Sequence, residues 1–249
     1  MITFGLITFG LIGYLFLVEI VSGILQGYSV PLICDLVKYL HIRDANFNGF
    51  EAARLLLSAL VVPVLEKLGN IFGQKRILLV SAVLTAGASW ALVLADDFTT
   101  FLIAWALQGF YAVWLLLEVA LIFDRGHGTG RAASQTRRAA GFLVVALEAG
   151  AIIGALLEGR IFGWFGHNVP LTLAIPAIAV TLVFFAVLIG VPESTPLPGQ
   201  RLDVVGFSML TIGLLLVTSG LSFLRLYGLD AWGVHISRWC LAGPPRARH

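Results

Sequence analysis

Apolar runs long enough to cross a bilayer recur along this chain and constrain its fold more than any other feature. They cover residues 2–34, 50–68, 77–95, 100–123, 141–161, 169–191 and 204–224. About twenty apolar residues make one helical crossing, and helices satisfy all of their own backbone polar groups inside lipid. The sequence therefore predicts an all-α polytopic membrane protein with about seven transmembrane helices.

The composition excludes a soluble domain and gives no sign of an enzyme. Charged residues make up 12% of the 249 residues, whereas soluble domains carry about 25%. The mean hydropathy is +0.94. A net charge of +2 is too small to indicate nucleic-acid binding. The five histidines are scattered, Cys34 and Cys240 lack metal-ligand spacing, and no H-E-x-x-H occurs, so neither a metal site nor another cofactor is predicted.

Basic residues concentrate in two of the links between the spans. The first of these links carries Lys67, Lys75 and Arg76. The second carries Arg125, Arg131, Arg137 and Arg138. The link at Asp96 and Asp97 contains no Lys or Arg. Because Lys and Arg resist translocation, we predict that both basic links and the N-terminus are cytoplasmic, in the cell (plasma or inner) membrane. A lipid- or nucleic-acid-binding patch is the second interpretation of the arginine-rich link, and a topology determinant is favoured.

Two glycines bracket the first basic link, in the order Gly69, Asn70, Ile71, Phe72, Gly73, Gln74, Lys75 and Arg76. Glycine permits the tight backbone of a short turn, and asparagine is a good helix N-cap. The spacing resembles the gating loop between helices two and three of major facilitator superfamily transporters. That family has Asp-Arg in place of Asn70 and Ile71, and Arg in place of Gln74. The resemblance implies a cytoplasmic latch that lacks part of its charge.

The fifth span carries a glycine pattern at Gly141, Gly150, Gly154 and Gly159. It is similar to the fifth-helix motif of that superfamily's antiporters, with Ala155 in place of proline and Glu158 in place of glycine. Gly150 and Gly154 lie one turn apart, so another helix can approach closely there. Ordinary small-residue packing is the alternative interpretation.

The resemblance extends along most of the chain. The G-x-I-F-G pattern of residues 69–73 recurs at 159–163, as two inverted three-helix repeats would produce. Residues 191–194 and 201–206 resemble the central link and seventh-helix entry of the fourteen-helix drug:proton antiporter branch. We therefore predict the N-terminal half of such a transporter: a six-helix lobe (1–191), a cytoplasmic link (192–203), a seventh helix (204–224) and an atypical basic tail (225–249).

Ionisable side chains inside the spans are candidates for function because they are costly in lipid. The proton- or substrate-site candidates are Glu19, Arg54, Trp105, Tyr111, Glu118 and Glu148. Glu19 and Glu148 are the first choices for carrying a proton, and Trp105 replaces an arginine of the family. Glu51 and Arg54 are spaced to form an ion pair, for which a structural role is favoured. Tyr111, Trp114 and Glu118 share a helical face, which predicts either a cavity for an apolar or cationic solute or bundle packing.

The resemblance implies a secondary transporter that exports small, drug-like, apolar or cationic molecules by alternating access, with possible proton coupling. The expected partners are the lipid bilayer, an unidentified solute, and either a missing C-terminal half or a second copy. A truncated form without activity is favoured because of the abrupt basic tail. The alternative is a scaffold or regulatory subunit that binds a partner helix through Gly150 and Gly154.

Overall fold

The computed structural model describes residues 2–41, 44–126, 132–194 and 204–227, which form eight α-helices and one 3-10 segment. They are α1 (Ile2–Tyr39), α2 (Asp44–Phe72), α3 (Gln74–Val93), α4 (Phe98–Gln108), the 3-10 segment Gly109–Val113, α5 (Trp114–Gly126), α6 (Ala132–Trp164), α7 (Val169–Gly190) and α8 (Val204–Tyr227). The predicted tail lies outside the described residues from position 228 onward. The all-α prediction is confirmed.

Among the residues that the structure describes, six segments are long and apolar enough to span a membrane. They are Gly10–Tyr39, Gly49–Phe72, Gln74–Val93, Phe98–Asp124, Thr136–Trp164 and Val169–Gly190. Helix α4, the 3-10 segment and α5 together make the fourth of these spans. The predicted seventh span is helix α8, whose apolar part at Thr211–Leu221 is shorter.

The packing of the six spans has the pairing that two inverted repeats produce. An inverted repeat exchanges spans one, two and three with spans four, five and six. Span one (α1) packs on span five (α6), and the related contact is that of span four on span two (α2). Span one also packs on span six (α7), and the related contact is that of span four, through α4, on span three (α3). Helices α3 and α7, the last of each triplet, also pack on each other. The described spans therefore form one lobe built from two related triplets.

Short turns join α2 to α3, α3 to α4 and α6 to α7, and polar side chains cap some of the helix ends. The Asp97 carboxylate accepts hydrogen bonds from the Thr100 hydroxyl (2.5 Å) and backbone N–H (2.9 Å), and these bonds lower the pKa of Asp97. Asn168 caps α7 by accepting from the Leu171 N–H at 3.1 Å. The expectation that Asn70 is an N-cap is wrong, because α2 continues to Phe72 and leaves Gly73 alone between α2 and α3.

Two apolar clusters form the interior of the lobe. One joins residues such as Leu15, Val18, Trp114, Leu117 and Val183. The other joins Phe50, Phe101, Trp105, Leu36 and Leu173. Lipid is as apolar as these side chains, so close packing and hydrogen bonds must hold the helices together.

Candidate functional site

A pair of acids lies in the interior of the lobe. Glu19 of α1 and Glu118 of α5 are both fully buried (0% exposed). Helices α1 and α5 contact each other, and the two carboxyl groups are close enough for each to affect the charge of the other. Among the described residues, no hydrogen-bond donor reaches any of their four oxygen atoms. Two acids that are buried together in the interior of membrane-spanning helices form a candidate site for holding a proton.

Helix α3 supports α5 beside this acid pair. Ser81, Thr85 and Ser89 are buried and lie one turn apart along α3. The Trp114 indole N–H donates to the Ser81 hydroxyl at 3.0 Å, and the Gln108 amide donates to the Ser89 hydroxyl at 3.0 Å. These two bonds anchor span four to α3 on both sides of its 3-10 segment. They fix the helix that carries Glu118, which follows Trp114 by about one turn.

The structure distinguishes between the two interpretations, a cavity or bundle packing, of the helical face that carries Tyr111, Trp114 and Glu118. Trp114 is fully buried (0% exposed) and hydrogen-bonded, and Glu118 faces Glu19. Tyr111 lies in the 3-10 segment and meets Trp114 edge-on, with ring centroids 6.5 Å apart. The bundle-packing interpretation is therefore correct for Trp114 and Glu118.

A second polar cluster joins α2 to span four. The Arg54 guanidinium donates to the Glu51 carboxylate at 2.6 Å, so the predicted ion pair is confirmed. Arg54 also lies 5.6 Å from the ring centroid of Trp105 and 6.0 Å from that of Tyr111. Trp105 replaces an arginine of the family pattern, yet a guanidinium from the neighbouring helix covers its ring. We call these four residues the Arg54 cluster.

Span four changes from α-helix to 3-10 helix beside the Arg54 cluster. The Ser58 hydroxyl lies within hydrogen-bonding distance of the Arg54 carbonyl (2.9 Å) and the Gly109 carbonyl (3.1 Å). A Cβ atom on Gly109 would lie 2.9 Å from the Arg54 carbonyl oxygen. Glycine is therefore needed where α2 approaches the start of the 3-10 segment. Such segments within helices often mark hinges.

The predicted gating residues lie at the junction of α2 and α3. The Gln74 amide donates to the Asn70 side-chain oxygen at 3.2 Å. Two neutral amides therefore meet where the family pattern has an acid and an arginine. A Cβ atom on Gly69 would lie 2.7 Å from a methyl carbon of Leu117, so the junction contacts α5 next to Glu118.

The start of α3 and the end of α7 cap each other. Gly73 has φ +100° and no side chain, and the Ser194 hydroxyl accepts from the Lys75 backbone N–H at 3.1 Å instead. In return, the Lys75 ammonium donates to the Leu188 carbonyl in the last turn of α7 at 3.2 Å. Glu193 lies 3.6 Å from the Lys75 ammonium and 4.0 Å from the Arg76 guanidinium. Acceptors near a helix start and cations near a helix end are both favourable.

The glycine motif of the fifth span packs inside the lobe. Gly150 and Gly154 of α6 meet the backbone of Ile20 and Ile24, and Gly23 and Gly27 of α1 meet that of Leu147 and Ala151. The strip is therefore not free to bind a partner helix, as the alternative function required, because α1 already covers it.

The rest of the motif lies on the other side of α6. Nothing lies within 4 Å of a Cβ atom built on Gly141 or Gly159, and Ala155 is half-buried. Glu148 is exposed, and the structure does not bring it to Glu19. The partner of Glu19 is Glu118.

Several contributing residues escaped the sequence analysis. Gly23 and Gly27 carry a G-x-x-x-G signal that was readable in the first span. Ser58, Ser81 and Ser194 carry no motif, because their roles depend on helices distant in sequence.

One of the comparisons with known proteins, that with solved structures, agrees with this architecture. No family model and no curated protein matches the chain. Among solved structures, the human organic anion transporter MFSD10 (TETRAN) superposes with a TM-score of 0.67 at 16% sequence identity. The match covers 83% of this chain and 54% of that one, so this chain spans about half the length of that transporter. The described spans therefore have the fold of about half of that transporter.

Proposed function

We propose that the chain is one lobe of a secondary transporter that moves small molecules by alternating access. The proposal rests on the acid pair. Glu19 and Glu118 come from two different spans, and both are fully buried. Movement of α5 relative to α1 would separate the two carboxyl groups and let one of them ionise. Proton binding and helix movement are then linked, as coupling requires.

The lobe needs a second lobe to enclose a solute path. Further chain or a second copy of this chain would supply it. The junction at Gly69, Asn70, Gly73, Gln74, Lys75 and Arg76 would act as the latch on the cytoplasmic side. Its amide pair makes that latch weaker than a charged one. We place the protein in the cell membrane with a cytoplasmic N-terminus, since Lys75 and Arg76 belong to a basic link.

The direction of transport and the solute are further parts of the proposal. Drug efflux follows from the likeness of the fifth-span glycines and of residues 201–206 to the drug:proton antiporter branch. The structural neighbour is described as an organic anion transporter. The sequence alone favoured apolar or cationic solutes. The charges of the Arg54 cluster are relevant to whether the solute is an anion or a cation.

Infrared spectroscopy of the full chain in lipid tests the acid pair. A protonated carboxyl group in a dry site has a distinct C=O stretching band. We expect such a band to change as the pH is varied, and Glu19→Gln or Glu118→Gln to remove that change. The matched control is Glu148→Gln, which alters an exposed acid of the same type and should leave the band intact. If the band persists in both Glu19→Gln and Glu118→Gln, the acid pair does not carry the proton.

A further inference from the structure

The ion pair of the Arg54 cluster is partly exposed. The side chains of Arg54 and Glu51 are 12% and 20% exposed, whereas Phe50 and Phe101 beside Trp105 are fully buried. Trp105 stacks on Phe101 with ring centroids 5.8 Å apart and meets Phe50 at 6.2 Å. The cluster is therefore a partly exposed ion pair beside a group of buried aromatic side chains.

The arrangement of charge within the cluster discriminates between solutes. The Arg54 guanidinium already lies against the Trp105 and Tyr111 rings, the groups that attract cations. A cationic solute would have to displace Arg54 from both rings and from Glu51. An anionic solute has one competitor, the Glu51 carboxylate. Glu51 lies three residues before Arg54 on the same helix, so it can leave by side-chain rotation without any movement of α2.

We propose that the Arg54 cluster binds the carboxylate of an aromatic organic anion, which replaces Glu51 on the Arg54 guanidinium. The guanidinium fork matches a carboxylate in a two-point contact, and the ring of the solute lies against Tyr111. This inference rests on the proposed transport function and names its solute class. Glu51 acts as an internal competitor that holds Arg54 in position when no solute is bound.

Equilibrium binding of three ring compounds to the full chain tests the proposal. Radiolabelled benzoate, benzylamine and benzyl alcohol share one ring and differ in charge. Phosphatidylcholine nanodiscs provide a membrane without anionic headgroups that could compete for Arg54. We expect the unmodified chain to bind benzoate more tightly than either other compound.

Substitutions of Glu51 and Arg54 should change the affinity for benzoate in opposite directions. Glu51→Gln removes the competitor and should tighten benzoate binding about tenfold, and Arg54→Gln should weaken it by at least about tenfold. Arg54→Lys keeps the charge, loses the fork and should be intermediate. Benzyl alcohol binding should stay unchanged in all three variants. Thermal unfolding of each variant shows whether it is folded, and Glu51→Gln alone decides the sign if Arg54→Gln does not fold.

Two outcomes would overturn the inference. Benzoate binding that is unchanged or weaker in Glu51→Gln would show that the ion pair is only structural. Benzylamine binding that exceeds benzoate binding and is lost in Glu51→Gln would show a cation site. Neither result depends on transport or on the infrared band of Glu19 and Glu118. A failed solute site and a failed transport function are therefore distinguishable.

Discussion

Four glycines let α1 and α6 approach until backbone touches backbone. A Cβ atom built on Gly27 would overlap the carbonyl group of Ala151, which belongs to the backbone and cannot rotate away. The same holds for Gly23 against Leu147. Close approach of this kind increases van der Waals contact, which is the main attraction between helices in lipid.

Gly27→Ala should therefore destabilise the protein. Pushing the two helices apart is expected to lower the free energy of unfolding by about 1–3 kcal/mol. Gly87→Ala on α3 is the matched control, because nothing lies within 4 Å of a Cβ atom there. Alanine is the better helix former, so the control should be neutral or stabilised by up to about 1 kcal/mol. Unfolding in mixed detergent micelles measures both, and equal effects would contradict the close contact.

At the scale of elements, span four shows what hydropathy alone leaves out. Its apolar run predicted one continuous helix over residues 100–123. The structure divides that run at Gly109–Val113, where Ser58 of α2 binds the Gly109 carbonyl. Hydropathy measures burial in lipid and carries no information on which neighbouring helix supplies a hydroxyl group. Glu19 and Glu118 were both candidates from the sequence, but their pairing was not predicted for the same reason: Glu118 and Glu148 both lie in apolar runs, and only the packing shows that Glu118 is buried and Glu148 exposed.

The mutual cap between α3 and α7 leads to a prediction about local opening. Ser194→Ala removes the acceptor of the Lys75 N–H, and such caps contribute about 0.5–2 kcal/mol. Amide hydrogen exchange in the first turn of α3 should therefore become faster. The first turn of α7 is the internal control, because Asn168 caps it locally. Acceleration at both helix starts would mean general loosening, and no change at α3 would show that Ser194 is not its cap.

At the scale of the whole molecule, much of the lobe was predictable from the sequence. The apolar runs predicted about seven spans, because a helix must cross a bilayer of set thickness, and among the described residues six of them are long and apolar enough to do so. The Gly150 and Gly154 spacing predicted a close helix contact, although not that α1 provides it. The position of Arg54 over Trp105 was not predictable, since it joins residues 51 positions apart on different helices. Contacts between side chains on different helices depend on how the helices pack, which the sequence of one span does not show.

Orientation in the membrane follows from the charges of the turns and gives the last prediction. Arg76 lies in the first turn of α3, at a basic link, and Asp96 lies just after the other end of α3, at an acidic link. We expect the basic turn to stay inside the cell. In a background with Cys34 and Cys240 changed to serine, Asp96→Cys should react with a membrane-impermeant maleimide in intact cells. Arg76→Cys is the matched site, with a side chain 68% exposed, and it should react only after permeabilisation. Labelling of Arg76→Cys in intact cells would show that the lobe has the opposite orientation and that the proposed latch lies on the outer face of the membrane.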